Sequence, residues 1–288
     1  MPRRIRISIL VVLIAVLLIP LTRPYWDRDY ALEQFMTRHD LRGVSLAYGP
    51  LDGDPVIEGI RRAANAPAPY YSLSKPLTAL AILEAHQRGR LSLDDRIGTA
   101  SLEQVLKHTG GWDRTEVGDP VLSAPQGSDC TRLDPPPVQF TPGDRYAYSN
   151  LGYCLAGRRL GAAMGGTYEE AVRAVLPESA DMSYDAYIGP AGGWAGTARQ
   201  FWDLAARDLP AAVTANPMPR PGDTPYGLGW GVDADGRLSH FGWLTSADNF
   251  TAAQRSADSL VIALFDGVPA DPERAKRELR DLMVRFES

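Results

Sequence analysis

The 288-residue sequence predicts an α+β fold: an antiparallel β-sheet flanked by helices, a mostly helical lobe inserted into it, and a membrane helix in front. Three observations carry this prediction. An apolar run follows a cluster of arginines at the N-terminus. Strand-type patterning occurs near both ends of the body, over residues 43–60 and again from 226 onward. Between them, residues of about 100–210 read as helices joined by Gly- and Pro-rich loops, so the two strand regions can pair around an inserted block.

Residues 7–21 (ISILVVLIAVLLIPL) stand behind Arg3, Arg4 and Arg6, the charged-then-apolar layout of a secretory signal or a signal anchor. The run is shorter than the roughly 20 residues of a full span, but flanking arginines can snorkel to close the gap. No A-x-A-like site follows, and no neighbouring cysteine could take a lipid. An uncleaved anchor over residues 1–25 is therefore expected in preference to a cleaved signal, leaving 26–288 as one catalytic-sized body. The arginines stay cytoplasmic, which puts the body on the periplasmic face of a bacterial inner membrane, or free in the periplasm if the segment is cleaved.

In the body, residues 31–37 predict a short helix, 43–48 (GVSLAY) a strand, and Asp52-Gly53-Asp54-Pro55 a turn into a returning strand at 56–60. Apolar residues fill most of the circumference over 72–88, the mark of a mostly buried helix, with Pro76 in the first turn where its missing N–H costs nothing. Helical stretches follow at 102–107, 151–163, 168–175 and 199–207. The segment 118–142 carries six prolines and no periodicity, so it reads as an irregular loop at the surface or at a cleft rim. From 226 onward the runs GLGWGV, RLSHFGW, DNFTAAQ and SLVIALF are separated by turn residues and predict an antiparallel meander, closed by an amphipathic helix over 271–286. A site is expected in the cleft between the two lobes.

Composition narrows the function. The net charge is −5, and the first 23 residues hold four arginines and no acid, so the remainder sits at −9. A body that acidic lacks the basic face that nucleic-acid binding needs. Ordinary globular composition excludes a disordered or disulfide-scaffold chain, and no cofactor or metal is expected. Cys130 and Cys154 can form one bridge in an oxidising compartment or stand as two unpaired buried thiols. Of 30 basic residues only Lys75, Lys107 and Lys276 are lysines.

Three short motifs carry chemistry. Ser72-Leu73-Ser74-Lys75 sets a hydroxyl and an amine on one face at the start of the buried helix, where desolvation weakens the amine's hold on a proton and suits it to deprotonate the serine. Tyr148-Ser149-Asn150 offers a phenol that can relay a proton and an amide that can hold a carbonyl or the lysine; equally, Asn150 can be the N-cap of the following helix. His240-Phe241-Gly242 lies in a strand run, where Gly242 permits close approach and the next N–H can join an oxyanion hole; a structural histidine fits the same pattern. His108-Thr109-Gly110 repeats the triplet outside a strand, so position alone singles out His240.

These motifs, in this order, resemble the S-x-x-K, Y-x-N and K-T-G series of the serine β-lactamase and penicillin-binding-protein superfamily. The neighbourhoods YSLSKP with Leu77-Thr78, GRLSLDD, LKHTGG, Pro142-Gly143 before YSNLGY, and YGLGW are similar to its class C β-lactamase branch, over roughly residues 28–286. The resemblance implies a β-lactamase/transpeptidase-like fold and an acyl-transfer enzyme. Ser72 would be its nucleophile, Lys75 the base or relay and Tyr148 the proton carrier to the leaving group. Asn150 would bind substrate or position Lys75, and the Ser72 and Trp243 N–H groups would form the oxyanion hole. His240 stands where the family usually has a lysine. A histidine can be neutral near pH 7, which weakens the case for efficient β-lactam hydrolysis and leaves D-amino-acid peptides, β-lactams and esters as substrate classes. The alternative is a penicillin-recognising sensor or wall-binding protein that acylates and stalls.

Overall fold

The structure, a computed structural model, describes residues 28–287; the expected anchor lies outside them, and among the described residues no helix is long and apolar enough to cross a membrane. Helix α1 (Arg28–Arg38) leads into strands β1 (Gly43–Pro50) and β2 (Val56–Ile60), the expected hairpin. After β3 (Ala68–Pro69) and a 3-10 turn at Tyr71–Leu73 comes α2 (Ser74–Gln87), then β4 (Arg96–Ile97), β5 (Ala100–Ser101), α3 (Leu102–Leu106) and α4 (Arg114–Val117). The lobe continues with α5 (Asn150–Met164), α6 (Tyr168–Val175), β6 (Ser183–Tyr184), β7 (Trp194–Gly196) and α7 (Ala198–Ala205). The chain closes with β8 (Gly231–Val232), β9 (Leu238–Gly242), β10 (Asn249–Arg255), β11 (Ser259–Asp266) and α8 (Pro272–Met283).

The two strand regions build one antiparallel sheet in the order β2-β1-β11-β10-β9-β8, with β1 joining the C-terminal meander through Gly43↔Asp266 to Pro50↔Ser259. Strand periodicity explains why its centre is apolar on both faces. Along β11, Leu260, Ile262 and Leu264 enter the core shared with the helical lobe, while Val261, Ala263 and Phe265 face a second core closed by α1 and α8. Phe265 and Phe35 are fully buried there, and truncating either to alanine would cost roughly 3–5 kcal/mol.

Helix starts follow their caps. Ser101 with Gln104, Thr167 with Glu170 and Thr197 with Gln200 form capping boxes, and Asp271 caps α8 with Pro272 in its first turn. The closing helix is shorter than expected, because it tightens into a 3-10 turn at Val284–Phe286. The run GLGWGV was read as a strand but pairs only over Gly231–Val232; Gly229 sits at φ +83°, a left-handed turn that interrupts the extension. The two- and three-residue strands β3, β6 and β7 form a small separate sheet that periodicity could not reveal, since two residues make no alternation. The proline-rich loop is irregular except for α4 at its approach and a 3-10 turn at Cys130–Arg132, and a disulfide joins Cys130 to Cys154 of α5.

Candidate active site

Ser72 stands in the 3-10 turn just before α2, not in the helix itself. Ser72 and Lys75 are three residues apart across the junction of this turn with α2, a spacing that keeps both side chains on one face. Tyr71 immediately before it has φ +47°, a left-handed conformation that costs a tyrosine energy and is held here by the surrounding packing. Strand β9 passes close behind: a Cβ at Gly242 would overlap the Tyr70 carbonyl oxygen and lie 2.9 Å from the Ser72 nitrogen. Glycine is required at that position because the chain's own Tyr70–Ser72 backbone occupies the space, where the sequence suggested room for a ligand backbone.

The first two motifs converge. Ser72 Oγ shares a 2.6 Å hydrogen bond with the Tyr148 hydroxyl, and Lys75 Nζ lies 3.2 Å from the same Oγ. Lys75 is completely buried and also donates to Asn150 Oδ1 (2.8 Å) and to the Ala191 carbonyl (2.7 Å). Asn150 is not the N-cap: Ser149 caps α5 by accepting from the Gly152 N–H, which leaves the Asn150 side chain free for Lys75.

Electrostatics bring the amine and the phenol toward each other. Burial pushes the Lys75 ammonium below its ordinary range, because a charge at that depth loses its hydration. Burial opposes ionisation of Tyr148, but the cations of Lys75 and Arg114 and the hydrogen bonds from Lys75 and Ser72 outweigh it, and the phenol becomes more acidic than usual. A proton can therefore pass among Ser72, Lys75 and Tyr148 without a large energetic step.

His240 lies in β9, buried at the cleft wall, with Nδ1 3.3 Å from the Tyr226 hydroxyl. Burial, reinforced by Lys75, Arg220 and Lys276, holds its imidazolium well below the ordinary range, so it is neutral at pH 7. Ser72, Tyr148, His240 and Trp243 line one cleft of about 230 Å³, smaller than the roughly 300–1,000 Å³ of drug-sized sites. The same cleft is lined by Arg220, Lys276 and Arg280 gathered on Asp223, with Lys276 also 2.7 Å from Glu273 and Arg280 donating to Ser239 of β9.

Several residues of this site escaped the sequence reading. His108 was set aside because its triplet discriminates nothing, yet its ring stacks on Tyr148 at 4.4 Å and its Nδ1 accepts from the Ser149 N–H. Tyr146, Tyr153 and Tyr226 surround it, and burial keeps it neutral. The neighbourhood LKHTGG was the available signal. Asp119 accepts from Asn150 Nδ2 at 2.6 Å, and the Arg114 guanidinium lies 4.4 Å from the Tyr148 ring centre. Both come from an aperiodic stretch that gave no signal. Among the described residues no group of acidic, histidine and cysteine side chains is arranged to hold a metal ion.

Comparisons with known proteins bear on the family and the fold. Residues 29–220 match the family model described as Beta-lactamase. A fimbrial assembly protein FimD, serogroup D, of Dichelobacter nodosus is 29% identical over 118 residues, covering 35% of this chain and 30% of that protein. The chain thus spans under a third of that relative's length. Among solved structures, the D-amino acid amidase of Ochrobactrum anthropi SV3 superposes with a TM-score of 0.71 at 16% identity, covering 90% of this chain and 99% of that one. The D-stereospecific amidohydrolase of a Streptomyces species gives 0.66 at 19% identity, covering 87% and 98%.

Proposed function

This chain belongs to the beta-lactamase family, and from that premise we propose that it is a serine hydrolase that acts by acyl transfer through Ser72. The observation that carries the proposal is the position of Ser72 Oγ between the Tyr148 hydroxyl and the Lys75 amine, at 2.6 and 3.2 Å. Ser72 Oγ attacks a substrate carbonyl and its proton passes to the Lys75–Tyr148 pair. The tetrahedral oxyanion is met by the backbone N–H groups of Ser72 and Trp243. Tyr148 returns the proton to the leaving group as the C–X bond breaks, and water then attacks the acyl-enzyme, releasing the acid and restoring the serine.

The substrates we propose are small esters and amides or peptides of D-amino acids, ahead of β-lactams. Neutral His240 offers a substrate carboxylate no fixed cation, and the neighbouring Arg220, Lys276 and Arg280 are paired with Asp223 and Glu273. The D-amino acid amidase likeness supports the same class. The enzyme would work in the periplasm, held by its N-terminal segment, and a protease-protection assay on spheroplasts should find the body accessible from outside.

The test is steady-state hydrolysis of a panel of p-nitrophenyl esters, D-amino acid amides, D-alanyl-D-alanine peptides and a penicillin. Turnover of esters or amides, with a kcat/KM at least about tenfold above that for the penicillin, supports the proposal; a tenfold ratio corresponds to about 1.4 kcal/mol. Turnover that persists in Ser72→Ala, or a preference for the penicillin, refutes it.

A further inference from the structure

We propose that Asp119, on the proline-rich loop, is a positioning residue that fixes the Asn150 carboxamide so that its oxygen faces Lys75. The inference rests on the assignment of Ser72, Lys75 and Asn150 to the reacting centre. The two ends of an asparagine amide have nearly the same shape but opposite hydrogen-bonding character, so Asn150 by itself does not choose between two orientations. An ionised carboxylate can only accept. Asp119 Oδ2 takes a hydrogen bond from Asn150 Nδ2 at 2.6 Å, and this turns Oδ1 toward Lys75, from which it accepts at 2.8 Å. Flipping the amide would set its oxygen against the Asp119 carboxylate, a repulsive contact, and would take away the acceptor of the Lys75 N–H.

Asp119 can enforce this because it is itself held. Its Oδ1 accepts from the backbone N–H groups of Val121 (3.1 Å) and Leu122 (3.4 Å), and its carbonyl accepts from the Ser123 N–H. The side chain is only 11% exposed, so water screens the contact little. The loop is bonded to α5 through Cys130 and Cys154, and Cys154 lies one helical turn beyond Asn150. Arg114 of α4, 3.9 Å from the Asp119 carboxylate, sits over the Tyr148 ring.

A double-mutant cycle on the full chain tests this, with two readouts: the second-order rate of labelling by a fluorophosphonate, and ¹³C NMR of ε-labelled lysine. With three lysines in the chain, the Lys75 resonance is identified by its loss in Lys75→Met. Asp119→Ala should slow labelling about 10- to 100-fold, the range for a buried hydrogen bond to a charged group, and shift the Lys75 resonance. Asp119→Asn, which keeps an acceptor, should recover part of the rate. In an Asn150→Ala background, Asp119→Ala should change neither readout further. Unchanged readouts in Asp119→Ala, or effects of the two substitutions that multiply independently, overturn the proposal. If Asp119→Ala does not fold, Asp119→Asn completes the same cycle with a smaller expected effect. Labelling that persists in Ser72→Ala would refute the acylation reading alone; the Lys75 resonance would still decide whether Asp119 acts through Asn150.

Discussion

The Tyr148 hydroxyl and Ser72 Oγ are 2.6 Å apart although 76 residues separate them in sequence, and the phenol is more acidic than an ordinary tyrosine. Tyr148→Phe removes only this hydroxyl and keeps the ring that stacks on His108. Hydrolysis of a p-nitrophenyl ester should fall by roughly 10²–10⁴-fold, the usual contribution of a positioned acid–base group, with the melting temperature little changed. A variant with near wild-type kcat would remove Tyr148 from the proton path.

Burial disfavours the charged form of Lys75, so its amine is retained at a cost in stability. Lys75→Met keeps an unbranched side chain one atom shorter and removes the amine. Activity should be lost while the unfolding midpoint stays level or rises, as expected where a site is kept for function at the expense of stability. Parallel denaturation curves and ester assays on the two proteins check both halves of this expectation.

Two buried histidines set the acid limit of the fold. His108 and His240 are held well below their ordinary range, first by burial and then by neighbouring cations. A depressed folded-state value means that the unfolded chain binds the proton more readily. Their contribution is therefore complete above the unfolded value of about 6.5 and is lost as the pH falls below it. Each can steepen the fall by up to about 1.4 kcal/mol per pH unit. The hydrogen-bonded Glu278, lowered to about 2, acts only further down, below its ordinary value of 4.5. Melting temperatures between pH 7.5 and 5 should fall in the wild type and fall less steeply in His108→Gln; equal slopes would assign the acid sensitivity elsewhere.

The disulfide should matter for stability. Cys130 and Cys154 are 24 residues apart, and the loop-entropy relation gives about 3.5 kcal/mol for that closure. Cys130→Ser/Cys154→Ser should lower the urea midpoint accordingly, and reductant should lower the wild-type midpoint without affecting the variant.

Gly242 admits β9 to the back of the Ser72 turn. Gly242→Ala would press on the Tyr70 carbonyl and the Ser72 nitrogen, and overpacking of this kind costs roughly 1–3 kcal/mol. Ester hydrolysis should fall more than stability does, since the displaced group is the nucleophile's own backbone.

What was legible in the sequence depended on periodicity and on motif spacing. SLVIALF and DNFTAAQ declare strands because several residues repeat one pattern, and Ser72 with Lys75 declares a site because both come from one turn. Residues that act across the chain left no such trace. Asp119 reaches Asn150 from a proline-rich stretch, and the Ala191 carbonyl reaches Lys75 from a turn whose role is set by backbone position and not by side-chain type. His108 was visible as a residue and invisible as a neighbour, because only the folded lobe lays its ring on Tyr148. The small β3-β7-β6 sheet escaped for a related reason: β3 and β7 pair across more than a hundred residues, and β6 and β7 are too short to alternate.

The central claim is that Ser72 is the residue that becomes acylated. Tandem mass spectrometry of the full chain after brief exposure to a fluorophosphonate tests it most directly. One adduct is expected, on the peptide containing Ser72, absent from Ser72→Ala and formed at least about 100-fold more slowly in Lys75→Met. An adduct on another residue, or equal labelling of Ser72→Ala, would contradict it.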